Sequence, residues 1–173
     1  HRMEYGAPGV TCDFCHTMIS YSGKSPENAN YVTSPGPIKY GPFKYSSDWH
    51  RKYSPFHTSS KICGVCHEGS NSHGVQTHTT YSEWLTSSWP KKGVECQDCH
   101  MSATGRLIDG KAIFERGIIA AARYISPPER KKLFSHRFPG TNVLSQLEGA
   151  VKLKIYNLSR EIEPGDTIFL GIS

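Results

Sequence analysis

The stretch "GVECQDCHM", residues 93–101, decides how this chain is read. Two cysteines stand two residues apart, and a histidine follows at once. "GVTCDFCHTM" (9–18) repeats the skeleton almost position for position, and "KICGVCHEG" (61–69) keeps the cysteines and the histidine. All six cysteines of the chain, Cys12, Cys15, Cys63, Cys66, Cys96 and Cys99, fall inside these motifs, so none is left over for a structural disulfide. Nine of the 173 residues are histidine. Chance would put one after all three CxxC pairs on the order of once in ten thousand trials, and the arrangement is the attachment signature of c-type haem.

Each position of the motif has a chemical reason on that reading. Two thiols add to the two vinyl groups of the porphyrin, and a two-residue spacer lets one helical turn present both sulfurs. The next residue turns its imidazole to the iron, which makes His16, His67 and His100 the expected proximal ligands. A zinc ribbon joins two CxxC pairs into one tetrahedral site. Three pairs do not divide evenly into such sites, and zinc gives no reason for histidine always to come next. A thioredoxin-like dithiol expects one CxxC at the start of a helix in a βαβ setting, not three in loop-rich sequence.

Composition agrees with a cofactor-filled interior. Apolar residues make up 36% of the chain, below the usual share of a globular domain, while Gly and Pro number 16 and 11. The formal charge is +5. Three haems with ionised propionates would bring it to roughly +2 oxidised and −1 reduced, so the excess Lys and Arg read as propionate partners. No helix-turn-helix, RNA-binding signature or basic run points to nucleic acid. No secretory signal and no apolar run of transmembrane length stands out. The chain starts at His1 and reads as a processed protein or a piece of a longer one.

Residues 1–148 read as one haem-bearing domain. "VTSPGPIKYGPF" (32–43) predicts a loop with turns. "DWHRKYSPFH" (48–57) suggests a short helical turn capped by Ser47 or Asp48 and interrupted by Pro55. A helix is expected to start at Thr58–Ser60 and stop at Gly69. "TTYSEWLTSSW" (79–89) predicts a helix with Tyr81, Trp84, Leu85 and Trp89 roughly on one face. "KAIFERGIIAAARYI" (111–125) reads as a helix weakened by Gly117. From about Gly149 the pattern changes. "AVKLKIYNL" and "TIFLGIS" alternate like strands about an "EPGD" turn, so residues 149–173 form a β tail. Two strands make a poor independent unit, and this one is expected to lie against another polypeptide or a domain outside the chain. The fold class expected is mostly irregular, with short α-helices organised around covalent haems and a small β element at the C-terminus.

"GVTCDFCH", "GPFKYSSDWHRKYSPFHTSSKICGVCHE", "TYSEWLTSSWPKKGVECQDCHM" and "HRFPG", in that order, resemble the multihaem c-type cytochromes of the tetrahaem cytochrome c and hydroxylamine-oxidoreductase-like grouping. The resemblance covers roughly residues 10–140. It implies electron transfer, secretion to the periplasm or beyond, redox partner proteins, and in some members polymerisation into extracellular filaments. Members usually carry a further haem motif upstream, and many continue into a β-sandwich; this chain has neither, which suggests a fragment.

Six histidines lie outside the motifs: His1, His50, His57, His73, His78 and His136. Met18 and Met101 sit too close to their own proximal histidines to cross a ring, and Met3 is near a terminus. Histidine on both faces of each iron is therefore expected. The resemblance implies His136 as a distal ligand, and His50 with His57 as a corresponding pair ahead of the second motif. Standing just ahead of that helix, each is poorly placed for the far face of its own haem and would more naturally serve a neighbouring one. His73 and His78 read as solvated, or as ligands to a haem of a missing part. Irons closed on both faces leave one-electron transfer as the chemistry, with no catalytic residue and no enzyme activity. The alternatives are a subunit of a conductive extracellular cytochrome filament, and a fragment of a multihaem oxidoreductase acting on small nitrogen or sulfur compounds. The last needs an open iron.

Overall fold

A computed structural model describes residues 9–44, 50–119, 128–140, 143–144 and 146–147, and the backbone of 155–156 and 171–172. Each CxxCH motif occupies one short helix. Helix α1 (Cys12–Thr17) begins at Thr11, whose hydroxyl accepts the Phe14 amide at 3.4 Å, and it ends where Met18 turns extended. Helix α2 is Lys61–His67. Helix α3 (Thr80–Thr86) follows, and α4 (Cys96–His100) carries the third motif. Glu95 and Asp98 form a reciprocal capping box at the start of α4, with the Glu95 amide donating to Asp98 Oδ2 at 2.8 Å. That box satisfies backbone donors that a helix start would otherwise leave without partners.

Strands are short and pair two by two. Strand β1 (Met18–Tyr21) runs antiparallel to β2 (Tyr31–Thr33) through an irregularity between Met18 and Ser20. Strand β3 (Tyr40–Gly41) lies parallel to β4 (Lys52–Tyr53). The hairpin β5 (Gly69–Ser70) with β6 (Gln76–His78) follows α2. After α4 come β7 (Leu107–Ile108) with β8 (Lys111–Ala112), and β9 (Glu115–Gly117) with β10 (Arg130–Leu133). Strands β11 (Ile155–Tyr156) and β12 (Gly171–Ile172) pair antiparallel with each other. The expected tail strands thus meet as partners; the rest of residues 148–173 lies outside the described residues.

Two local expectations differ from what the structure shows. The described part of 48–57 is extended at Lys52–Tyr53, because these residues bridge to Tyr40–Gly41. Pro55 then opens a 3₁₀ turn, Pro55–Thr58, instead of breaking a helix, as suits a residue with fixed φ and no amide proton. The described part of 111–125 forms strands β8 and β9 in place of a helix. Pairing with β10 and the contact of the Phe114 ring with Phe134, 5.4 Å between centroids, outweigh local helix propensity there.

Met18, Phe56 and Val65 form the apolar centre, with Phe14, Tyr21 and Ile62 packed around them. Among the described residues, buried apolar side chains number four (these three and Tyr81), while seven buried side chains are polar or charged: Thr17, Ser54, Ser60, Glu68, Gln97, Asp98 and Ser102. An interior of that make-up is held by hydrogen bonds more than by apolar burial. Helices α2 and α3 touch closely at Gly64, where a Cβ would come within 2.8 Å of the Tyr81 ring. On α3, Tyr81 faces inward while Leu85 is exposed, and Trp89 lies beyond the helix end and is exposed too, so the expected aromatic face is only partly buried. Among the described residues no helix is long and apolar enough to cross a membrane.

Candidate functional site

The three helices put both cysteines and the histidine of each motif within a single turn, since residues three and four apart share a helix face. None of the six cysteines is in a disulfide; Cys12 and Cys66 are exposed and the other four half-buried. The helices are also close together. The interaction of the Cys63 and Cys96 side chains raises Cys63 and lowers Cys96 from the ordinary thiol value. Burial raises Cys15, and the neighbouring Cys66 and Cys12 add to it.

His16 stands at the centre of an imidazole cluster. Its ring lies 4.7 Å from that of His50, 5.6 Å from His57 and 6.1 Å from His136, centroid to centroid. Three separate elements bring these rings in. His50 precedes β4, which is held by β3; His57 sits in the 3₁₀ turn ahead of α2; His136 follows β10.

The hydrogen bonds of these rings follow one pattern. His16 Nδ1 donates to the Tyr40 carbonyl at 2.6 Å, and His100 Nδ1 donates to the Pro139 carbonyl at 2.8 Å. His57 Nε2 donates to the Cys15 carbonyl at 3.0 Å, and its buried Nδ1 has no partner. A carbonyl can only accept, so each bond fixes a tautomer and leaves the other ring nitrogen with a lone pair. Metal-bound histidines are oriented in this way. Burial pushes His57 down to about 4, and it also lowers His50, with the nearby His16 adding to the effect. Neutral, lone-pair-bearing imidazoles are the form that binds iron.

Placement of the remaining sequence candidates is uneven. His67 is exposed at the end of α2. His73 and His78 are exposed in the β5–β6 hairpin, apart from the cluster, as a solvated reading expects. His1 lies outside the described residues. The carbonyls of Tyr40, Pro139 and Cys15, which orient three rings, had no signal in the sequence, because every residue carries a carbonyl.

The donor set suits a haem better than a bare ion. Tetrahedral zinc needs four donors about one point, and among the described residues no three His, Cys, Asp or Glu side chains are arranged to hold an ion. A haem iron draws four nitrogens from its porphyrin and needs only two from protein, one on each face. The tautomer-fixing carbonyls, the unpartnered Nδ1 of His57 and the scarcity of apolar filling all fit that group. In comparisons with known proteins, no family model, no curated protein and no solved structure matches this chain.

Proposed function

We propose that this protein is an electron carrier, a multihaem c-type cytochrome akin to the tetrahaem cytochrome c and hydroxylamine-oxidoreductase-like grouping. Cys12 and Cys15, Cys63 and Cys66, and Cys96 and Cys99 hold three haems as thioethers, with His16, His67 and His100 as proximal ligands. The observation that carries this reading is that each CxxCH motif lies in one helical turn. The carbonyl-bound Nδ1 of His16 and His100 supports it, since Nε2 is then free for iron. When bound, the haems supply one-electron chemistry at iron. The chain's part is to fix the rings' spacing, orient the imidazoles and limit water. Attachment of c-type haem takes place outside the cytoplasm, which implies a periplasmic or extracellular protein with redox proteins as partners.

His50, His57 and His136 are the proposed distal ligands, and their gathering at His16 keeps a second reading in view. One iron takes a single ligand opposite His16. The irons at His67 and His100 would then draw a far-side ligand from a neighbouring copy, as in a filament subunit, or stay open, as in an oxidoreductase for small nitrogen or sulfur compounds.

Mass spectrometry of the denatured protein tests the main reading, with an increment of three haems expected and a c-type pyridine haemochrome beside it. A bare polypeptide mass from a host that matures c-type cytochromes would end it. Spin state separates the rest: three low-spin haems in a monomer support the carrier, low-spin haems only in assembled oligomers the filament, and a stoichiometric high-spin haem with turnover the enzyme.

A further inference from the structure

The second and third motifs are tied together by a part-buried polar network that joins the starts of their two helices. Ser60, fully buried, precedes α2, and Glu95 precedes α4. The Ser60 amide donates to Glu95 Oε2 at 2.7 Å, and the Ser60 hydroxyl donates to the same oxygen at 2.5 Å. In return the Cys96 amide donates to Ser60 Oγ at 2.8 Å. One carboxylate thus serves the starts of two helices, where exposed amides and the helix dipoles favour negative charge. Gln97, itself buried, adds a second tie: its Nε2 donates to the carbonyls of Ser59 at 2.9 Å and His57 at 3.2 Å. The tie thereby holds Cys63, three residues after Ser60, and Cys96, next to Glu95, near one another.

We infer that Ser60 and Glu95 are positioning residues that hold the second and third attachment helices in fixed register, and with them the relative placement of the groups carried on Cys63 and Cys96. The inference rests on the proposed haem attachment. Rings joined to these cysteines would take their relative tilt from that of α2 and α4. They would supply one-electron exchange, one iron being oxidised as the other is reduced, with no bond made or broken. The Ser60–Glu95 contact sets the coupling by fixing two helices, without touching either ring. A site of this kind loses function with small displacements, of about half an ångström.

The haem-loaded protein and its Ser60→Ala, Ser60→Thr, Glu95→Gln and Ser102→Ala variants are compared by pyridine haemochrome, by Soret circular dichroism and by electron paramagnetic resonance of the oxidised state. Ser102 is a control: it is buried beside the third motif, donates to the Cys99 carbonyl and takes no part in the tie. Ser60→Ala is expected to keep three haems per chain while the exciton couplet and the spin–spin broadening fall about twofold or more. Ser60→Thr, which keeps the hydroxyl, should retain both signals. Glu95→Gln preserves shape at the cap and should fall in between, which gives a reading even where Ser60→Ala does not fold. The inference is overturned by couplets unchanged in both Ser60→Ala and Glu95→Gln, or by Ser102→Ala changing them as much as Ser60→Ala. A parent protein without haem overturns the proposed function instead, and the haemochrome alone tells the two failures apart.

Discussion

His100 donates its Nδ1 proton to the Pro139 carbonyl, so an imidazole inside the third motif is oriented by a residue 39 positions further along the chain. The same segment carries His136 to His16 in the first motif, and the Ser135 amide anchors it to the Met101 carbonyl at 2.8 Å. Seven residues, 134–140, therefore strap the outer two motifs together.

The strap contains a strained residue. Phe138 has φ of +44°, unusual for a bulky side chain, and a proline follows it. Its ring is 56% exposed, so little burial offsets the strain. Phe138→Gly is expected to stabilise the protein by about 0.5–1 kcal/mol, the left-handed penalty less the added entropy of the unfolded glycine. Urea titration checks this; a loss of stability would show that the ring's edge contact with His136, at 6.0 Å, outweighs the strain.

Gly64→Ala tests the seam between α2 and α3. A methyl there would meet Tyr81 at 2.8 Å and Pro26 at 3.0 Å. Overpacking should cost about 1–3 kcal/mol despite alanine's better helix propensity. Tyr81→Leu makes room, so in a double-mutant cycle the pair should lose less than the sum of the two single changes. Strict additivity would place the damage elsewhere.

Acid should unfold the haem-free chain through its imidazoles. His57 is depressed from 6.5 to about 4, chiefly by burial. Between those values the unfolded chain binds a proton that the folded chain does not. The contribution of His57 is complete above pH 6.5 and is lost as pH falls toward 4, on the order of 3 kcal/mol in all. His50 and His136 are lowered too and act with the same sign. Chemical denaturation at a series of pH values measures the slope, and His57→Gln should flatten it.

On the proposed reading, His136→Ala in the haem-loaded protein is expected to turn one of the three proposed haems high-spin and able to bind carbon monoxide, leaving the others as they were. Optical and resonance spectra report the count. No spectral change at all would remove His136 from the ligand set.

What could be read from the sequence was whatever depends on near neighbours. The CxxCH helices follow from a spacing of three and four, and α3 from the helical pattern within residues 79–89, although Thr79 makes no side-chain cap bond. The extended Lys52–Tyr53 and strand β9 are decided by partners outside their local window, whereas β8 pairs with β7 across a tight local turn. Ser60 and Glu95 escaped notice because 35 residues separate them, and nothing local distinguishes a buried serine from a solvated one. The meeting of His50, His57 and His136 at one ring, as opposed to one at each motif, likewise depends on the course of the whole chain.

The lengths of the attachment helices bear on how such a protein is made. They run to six, seven and five residues, where an isolated helix needs about 12–15 to persist in water. On the proposed reading, a ring bonded to residues i and i+3 acts as a macrocyclic staple across one turn, and the costly first turn is then formed by a covalent reaction. Before that reaction the three turns are the parts of the haem-free chain least able to persist by themselves, and they open readily to whatever enzyme delivers the haem. Attachment would lock as many turns as there are staples installed. A chain lacking one cysteine pair would then lose a locked turn along with the cofactor.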